Sequence, residues 1–233
     1  MRGEGKLIVL DGTDGAGKTT QLRLLVQRLR RAGRPVAVVD FPQYRQFFGR
    51  VVGRMLRGEF GSLDAVSPYL SSIVFAADRW QASERMRRLL AAGTTVVANR
   101  YASANLIHQS AKVKAAAERR VLQRWLDDLE YRALGIPQPD LVLFLDVPPR
   151  IALRLVDRKG HRHYVGGRRR DIAEQHVAHQ EAAYRAALDL AQRRPNWRRV
   201  VCTRHGRIDS PAAIAERIWR TISRVVDTKK SRS

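Results

Sequence analysis

The chain has 233 residues, 44% of them hydrophobic, which excludes a disordered polypeptide and fits one α/β domain with a substantial core. No apolar stretch approaches the roughly 20 residues of a membrane span, and the single cysteine, Cys202, excludes an internal disulfide and a cysteine-based zinc site, as expected of a cytoplasmic protein. The net charge of +22 would serve a polyanionic partner, but arginine is spread through nearly every predicted helix with no nucleic-acid-binding module beside it, so the charge reads as solvated faces and nucleic acid is not the expected partner.

Met1-Arg2-Gly3 leads directly into Lys6–Leu10, a short apolar run of strand type, leaving no room for a signal peptide. Gly12-Thr13-Asp14-Gly15-Ala16-Gly17-Lys18-Thr19 follows, a complete GxxxxGK[ST] loop, and Thr20 to Ala32 then reads as an amphipathic helix with Leu22, Leu25, Val26 and Leu29 on one face. Strand, loop and helix are in the register that phosphate binding requires. The glycines let the backbone turn successive N–H groups inward, and the helix N-terminus adds its partial positive charge. Residues 12–19, with Thr20 beside them, are therefore the expected ATP-binding segment. Lys18 is placed to bridge the β- and γ-phosphates, and the Thr19 hydroxyl to ligate Mg²⁺.

Further strands are predicted at Val36–Asp40, Thr94–Ala98, Leu141–Asp146 and Arg199–Thr203, and helices near 45–57, 67–92, 115–134, 149–156, 172–193 and 211–226. Ser67-Pro68 and Ser210-Pro211 each pair an N-cap with proline at the first helical position. The alternation predicts a three-layer P-loop nucleoside-triphosphate hydrolase-type fold: a five-stranded parallel sheet with helices on both faces, in one domain over 1–227. Residues 228–233 read as a frayed basic tail. The stretch at about 157–171 is rich in glycine and arginine, lacks an apolar stripe, and reads as a basic lid that closes over phosphates.

Ligand-binding residues of such a sheet gather at the strand ends. Here those ends carry Asp40-Phe41-Pro42-Gln43-Tyr44, Asn99-Arg100-Tyr101 and Leu145-Asp146-Val147-Pro148-Pro149, with Phe75-Ala76-Ala77-Asp78-Arg79, Asn105 and His108-Gln109 on neighbouring segments. The P-loop, Phe-Pro, Phe-x-x-x-Arg, Asn-Arg-Tyr and the basic lid, in this order, resemble the thymidylate kinase (dTMP kinase) family across essentially the whole chain.

The resemblance implies the reaction ATP + dTMP → ADP + dTDP with Mg²⁺. It implies that Asp14 holds the sugar 3′-hydroxyl, that Phe75 faces the thymine ring and that Arg79 meets its carbonyl. Arg100 would clamp the dTMP phosphate, Asn105 and Gln109 would read the pyrimidine edge, and Phe41, Pro42 and Tyr44 would wall the pocket. Family members place a catalytic arginine in the P-loop or in the lid. Gly15 occupies the P-loop position, so Arg168, Arg169 or Arg170 should join Lys18 and Arg100 in catalysis. A homodimer is implied through the helix from Ser67, with Leu70, Val74 and Ala77 on offer. Three positions depart from the pattern: Asn99 replaces an aspartate, His108 a tyrosine and Ala104 a serine. Two alternatives fit part of it: another nucleoside monophosphate kinase, and a nucleic-acid-binding P-loop ATPase that would use the +22 charge.

Overall fold

Apolar, β-branched runs form the strands β1 (Leu7–Asp11), β2 (Val36–Asp40), β3 (Thr95–Asn99), β4 (Leu141–Asp146) and β5 (Trp197–Val201). In the computed structural model, which describes residues 5–62, 66–157 and 169–226, they make one parallel sheet of order β2-β3-β1-β4-β5. Every residue of β1 and β4 is buried, as strands covered on both faces must be. The register sets Leu10 beside Asn99 and Asp40 beside Asn99, so the ends of β1, β2 and β3 lie along one rim.

Two apolar layers close the sheet. On one face, α1 (Lys18–Arg31) and α8 (Pro211–Val226) bring Leu25, Val26 and Leu29 against Ile214, Ile218 and Ile222. On the other, α3 (Pro68–Ala91), α4 (Ala102–His108), α5 (Ala116–Asp127) and α7 (Arg169–Arg193) supply Met86, Leu106, Leu122, Leu126 and Leu190. Helix α2 (Phe47–Leu56) packs on α3, and α6 (Pro149–Asp157) follows β4. The two proline-marked starts are capped as expected: the Ser67 hydroxyl accepts from Tyr69 N–H at 3.3 Å and that of Ser210 from Ala213 N–H at 3.2 Å.

The structure departs from the sequence reading in four places. Helix α4 was not expected, since seven residues are too few to show a period. The helix foreseen over 115–134 is α5 followed by a π-helical turn, Asp128–Ala133. The last strand begins at Trp197, two residues early, and a short hairpin of β6 (Thr203–Arg204) and β7 (Arg207–Ile208) follows it, turning through His205 and Gly206, both with positive φ. The expected lid stretch narrows, because Asp157 closes α6 and Arg169–Asp171 already belong to α7. Arg168 and the tail 228–233 lie outside the described residues.

One glycine fixes how α2 meets the segment after β2. A Cβ on Gly49 would stand 1.9 Å from the Gln43 carbonyl oxygen, so α2 approaches the segment after β2 at backbone distance. Gly49→Ala is expected to separate the two at a cost of about 1–3 kcal/mol. Thermal unfolding should then fall by about 2–4 °C for each kcal/mol lost.

Candidate active site

Strand β1 ends at Asp11, the loop turns, and α1 begins at Lys18 with Gly17 as its N-cap at φ 85°. Gly15 also has φ 83°, a left-handed conformation that side chains resist. No side chain caps α1 and its first turn holds no acid, so its N–H groups are left to an anion. Asp11 ties the loop down: one carboxylate oxygen accepts from Gly12 N–H at 2.8 Å and the other from the Ser103 hydroxyl of α4 at 2.5 Å. Lys18 Nζ donates to the Gly12 and Thr13 carbonyls at 2.7 and 2.9 Å and stands 3.8 Å from Asp14. Burial pulls the Lys18 ammonium down to about 8, and the Arg100 charge adds to the shift against the pull of Asp14 and Asp11.

Across the loop, Arg100 leaves β3 with φ 62°, a left-handed conformation that costs a side-chain-bearing residue about 1–2 kcal/mol. Its N–H still donates to Leu10 O at 3.0 Å, and its guanidinium pairs with the Asp14 carboxylate. Strain of this kind persists where function needs it. Beside it, Asn99 Nδ2 donates to Asp40 Oδ1 at 2.9 Å, while Asn99 Oδ1 is buried with no partner. Partial desolvation raises the Asp40 carboxyl above its ordinary value, and the Asn99 amide and the charges of Arg100 and Lys18 pull it back. The Phe41–Pro42 peptide is cis, Phe41 packs on Tyr101 with ring centres 5.6 Å apart, and the Gln43 N–H donates to buried Asp78 at 2.9 Å. Tyr44 is exposed beside Gly53.

A buried polar cluster is built on α3 and α4. Phe75 is partly buried, and Arg79, four residues on, is 2% exposed. Arg79 forms a bidentate pair with Glu130 of the π-helical turn, with Nε donating to Oε2 at 3.0 Å. Asn105 Nδ2 joins them, donating to Glu130 Oε1 at 2.9 Å and to the Ser72 carbonyl at 3.2 Å. Gln109 closes α4 with its side-chain carbonyl buried and unpartnered. The structure thus brings Arg79, Asn105 and Glu130 together. Sequence reading missed Glu130, whose only signal is an acid between Leu129 and Tyr131 in a stretch otherwise read as an amphipathic helix. His108 stacks on His179 of α7 with ring centres 5.7 Å apart; burial holds it well below the ordinary histidine range and Arg100 adds to that, so it is neutral. Arg169 and Arg170 open α7, which is anchored where the Tyr184 hydroxyl donates to Asp146 at 2.6 Å. Arg199 Nε donates to the second Asp146 oxygen at 2.7 Å.

Thr19 is exposed next to Lys18 and offers a hydroxyl to a cation. Among the described residues no three His, Cys, Asp or Glu side chains gather into a metal cage.

Residues 10–207 match the family model of thymidylate kinase. The chain is 33% identical over 148 residues to the thymidylate kinase of Danio rerio, covering 64% of each protein. It is 35% identical to that of Mycobacterium tuberculosis over 63% of this chain and 68% of the relative. With that of Thermomicrobium roseum it shares 32% identity over 94% of this chain and 95% of the other. The structure of a Candida albicans thymidylate kinase superposes with a TM-score of 0.68, over 95% of this chain and 92% of that one, at 20% identity, which is a likeness of fold. Among the described residues no helix is long and apolar enough to cross a membrane.

Two outcomes test this geometry. Removing one partner of a buried ion pair strands the other charge, so Glu130→Ala should lose about 3–5 kcal/mol in urea unfolding. The Lys18 value gives a second. An anionic triphosphate raises the pKa of a lysine it touches, so above about pH 8 nucleotide binding must take up a proton, and affinity must fall as pH rises. Calorimetric titration of ATP at pH 7 and pH 9, in buffers of differing ionisation enthalpy, should show that uptake in the native protein at pH 9. Lys18→Arg, whose charge does not titrate, should lose it.

Proposed function

Because the chain belongs to the thymidylate kinase family, whose reaction phosphorylates dTMP to dTDP with ATP, we propose that Lys18, Arg100 and a lid arginine are the groups that bear on the transferred phosphoryl. The observation that carries this reading is the convergence of Lys18 and Arg100 on Asp14 at the ends of β1 and β3. Phosphoryl transfer asks little covalent chemistry of a protein; it asks for in-line positioning and for charge to be neutralised as it spreads over the oxygens. Two fixed cations at the mouth of an uncapped helix supply that neutralisation at the donor and acceptor sides.

In this reading the N–H groups of residues 12–20 hold the ATP phosphates, and Lys18 exchanges its carbonyl partners for phosphate oxygens. Arg100 clamps the dTMP phosphate while Asp14 receives the 3′-hydroxyl. Thr19 would hold Mg²⁺, whose chemistry when bound is to screen charge between the phosphates. Phe75 stacks on thymine, and Asn105 and Gln109 read its edge. Glu130 engages Nε and Nη2 of Arg79, so Nη1 is the edge assigned to the thymine carbonyl. Phe41, Pro42 and Tyr44 wall the pocket. With no side chain on Gly15, the remaining cation is assigned to Arg168, Arg169 or Arg170. A homodimer is supported by the apolar surface of α2 and α3, where Phe47, Leu70, Ile73 and Trp80 are exposed. Val74 and Ala77, expected at that face, are partly buried beside it.

Purified protein with ATP and Mg²⁺ should release ADP fastest with dTMP in a panel of nucleoside monophosphates. dUMP should follow, since the methyl group it lacks is worth only about 1–3 kcal/mol in an apolar pocket. Faster turnover of AMP or GMP would assign the chain another acceptor, and turnover stimulated by DNA or RNA alone would move it to the ATPases. Lys18→Ala should lower kcat by at least about 100-fold, the scale of losing one electrostatic stabiliser.

A further inference from the structure

The rim of the sheet where β2, β3, β1 and β4 end carries Asp40, Asn99, Asp11 and Asp146 in that order. The partners of the other acids explain them. Asp11 holds the loop and α4, Asp146 holds Tyr184 and Arg199, and Asp14 of the loop pairs with Arg100. Asp40 stands apart. Its side chain is exposed, it joins no ion pair among the described residues, and what steadies it is a neutral group, the amide of its register partner Asn99. The Phe41 N–H is its other polar neighbour. The register partner of Asp40, Asn99, directly precedes Arg100, which puts Asp40 on the Arg100 side of the rim.

Asn99 contributes a second observation. Its Nδ2 is spent on Asp40, and its Oδ1 is buried without a hydrogen-bond partner, an omission that costs about 1–3 kcal/mol unless a donor arrives. The pair therefore presents one full negative charge, held in place by an amide, beside one unsatisfied acceptor. A hydrated divalent cation matches both: its charge answers the carboxylate, and its water protons answer the amide oxygen. Mg²⁺ dehydrates reluctantly and is bound largely through such waters.

We propose that Asp40 and Asn99 together hold the hydration shell of the nucleotide's Mg²⁺, Asp40 by its charge and Asn99 as the positioning residue whose buried oxygen accepts from a bound water. The proposal rests on the kinase reading above and adds to Thr19 a carboxylate that, unlike Asp14 of the loop, is not engaged by Arg100 and Lys18.

The test uses Mn²⁺, followed by electron paramagnetic resonance, with the full-length protein, a non-hydrolysable ATP analogue and dTMP. Asp40→Asn should weaken Mn²⁺ retention by about 10–100-fold, the range for groups that act on a metal through its surroundings. Binding of dTMP, and of the analogue in EDTA, should stay at the native level. The double exchange Asp40→Asn with Asn99→Asp returns one carboxylate to the pair and should recover most of the Mn²⁺ affinity. Asn99→Ala, with Asp40 intact, should lose affinity in the same direction and gives a second reading if Asp40→Asn proves unstable. Native Mn²⁺ binding in Asp40→Asn or in Asn99→Ala would overturn the proposal, as would an equal loss of dTMP binding, which would make Asp40 part of the pocket wall. Failure of the native protein to phosphorylate dTMP would instead remove the kinase reading itself, so the two failures are distinguishable.

Discussion

Placing a guanidinium and a carboxylate where water cannot reach them is tolerable only when each meets the other squarely, and Arg79 and Glu130 do so with two hydrogen bonds at 2% and 1% exposure. Three segments that share no sheet register, α3, α4 and the π-helical turn, meet at this pair, since Asn105 of α4 donates to the same Glu130. The mutual placing of these segments follows from it. If the turn relaxed to an ordinary helix, Glu130 would rotate away and leave a buried cation unanswered. The extra residue in the ladder is thus coupled to the placing of the acid, a common use of π-helical turns near functional sites.

The phosphate side is governed by a different economy of charge. Lys18 and Arg100 repel one another, and the protein holds them together with Asp14 between and with loop carbonyls on the lysine. Those partners are weak enough to be exchanged. A phosphate entering the cleft meets cations whose desolvation has already been met by folding, which is what pre-organisation means in electrostatic terms. The left-handed backbone of Arg100 belongs to the same design, since it turns the side chain back over the loop at the point where β3 ends.

How far this was legible in the sequence depends on the range of the interaction. The P-loop is local: three glycines, a lysine and a threonine at fixed spacing between a strand and a helix, so its residues could be placed by number. The ends of β1 to β4 were legible to within a residue, because a parallel strand stops where its apolar run stops; β5, whose run is interrupted by Arg198 and Arg199, was placed two residues late. Helix α4 and the β6–β7 hairpin were not, being too short for periodicity and lacking an Asn-Gly or Asp-Gly turn. Glu130 and Asp40 are the instructive omissions. Each is defined by a partner far along the chain, Arg79 at 51 residues and Asn99 at 59, and nothing in the local pattern distinguishes them from solvated acids. Asn99 is a local departure in the sequence, but its hydrogen-bond partner lies in the neighbouring strand.

Helix α7 has a mechanical consequence. Its second half is embedded through Ala183, Ala187 and Leu190 and tethered by Tyr184 to the end of β4, while its first turn begins at Arg169. A helix is a stiff rod rising about 1.5 Å per residue, so the fifteen residues between Tyr184 and Arg169 make an arm of about 22 Å, and a tilt of about 5° at the tether swings its tip by about 2 Å. His179 rides on that arm against His108 of α4. The start of α7 and the α4 segment that carries Asn105 and His108 therefore share one lever.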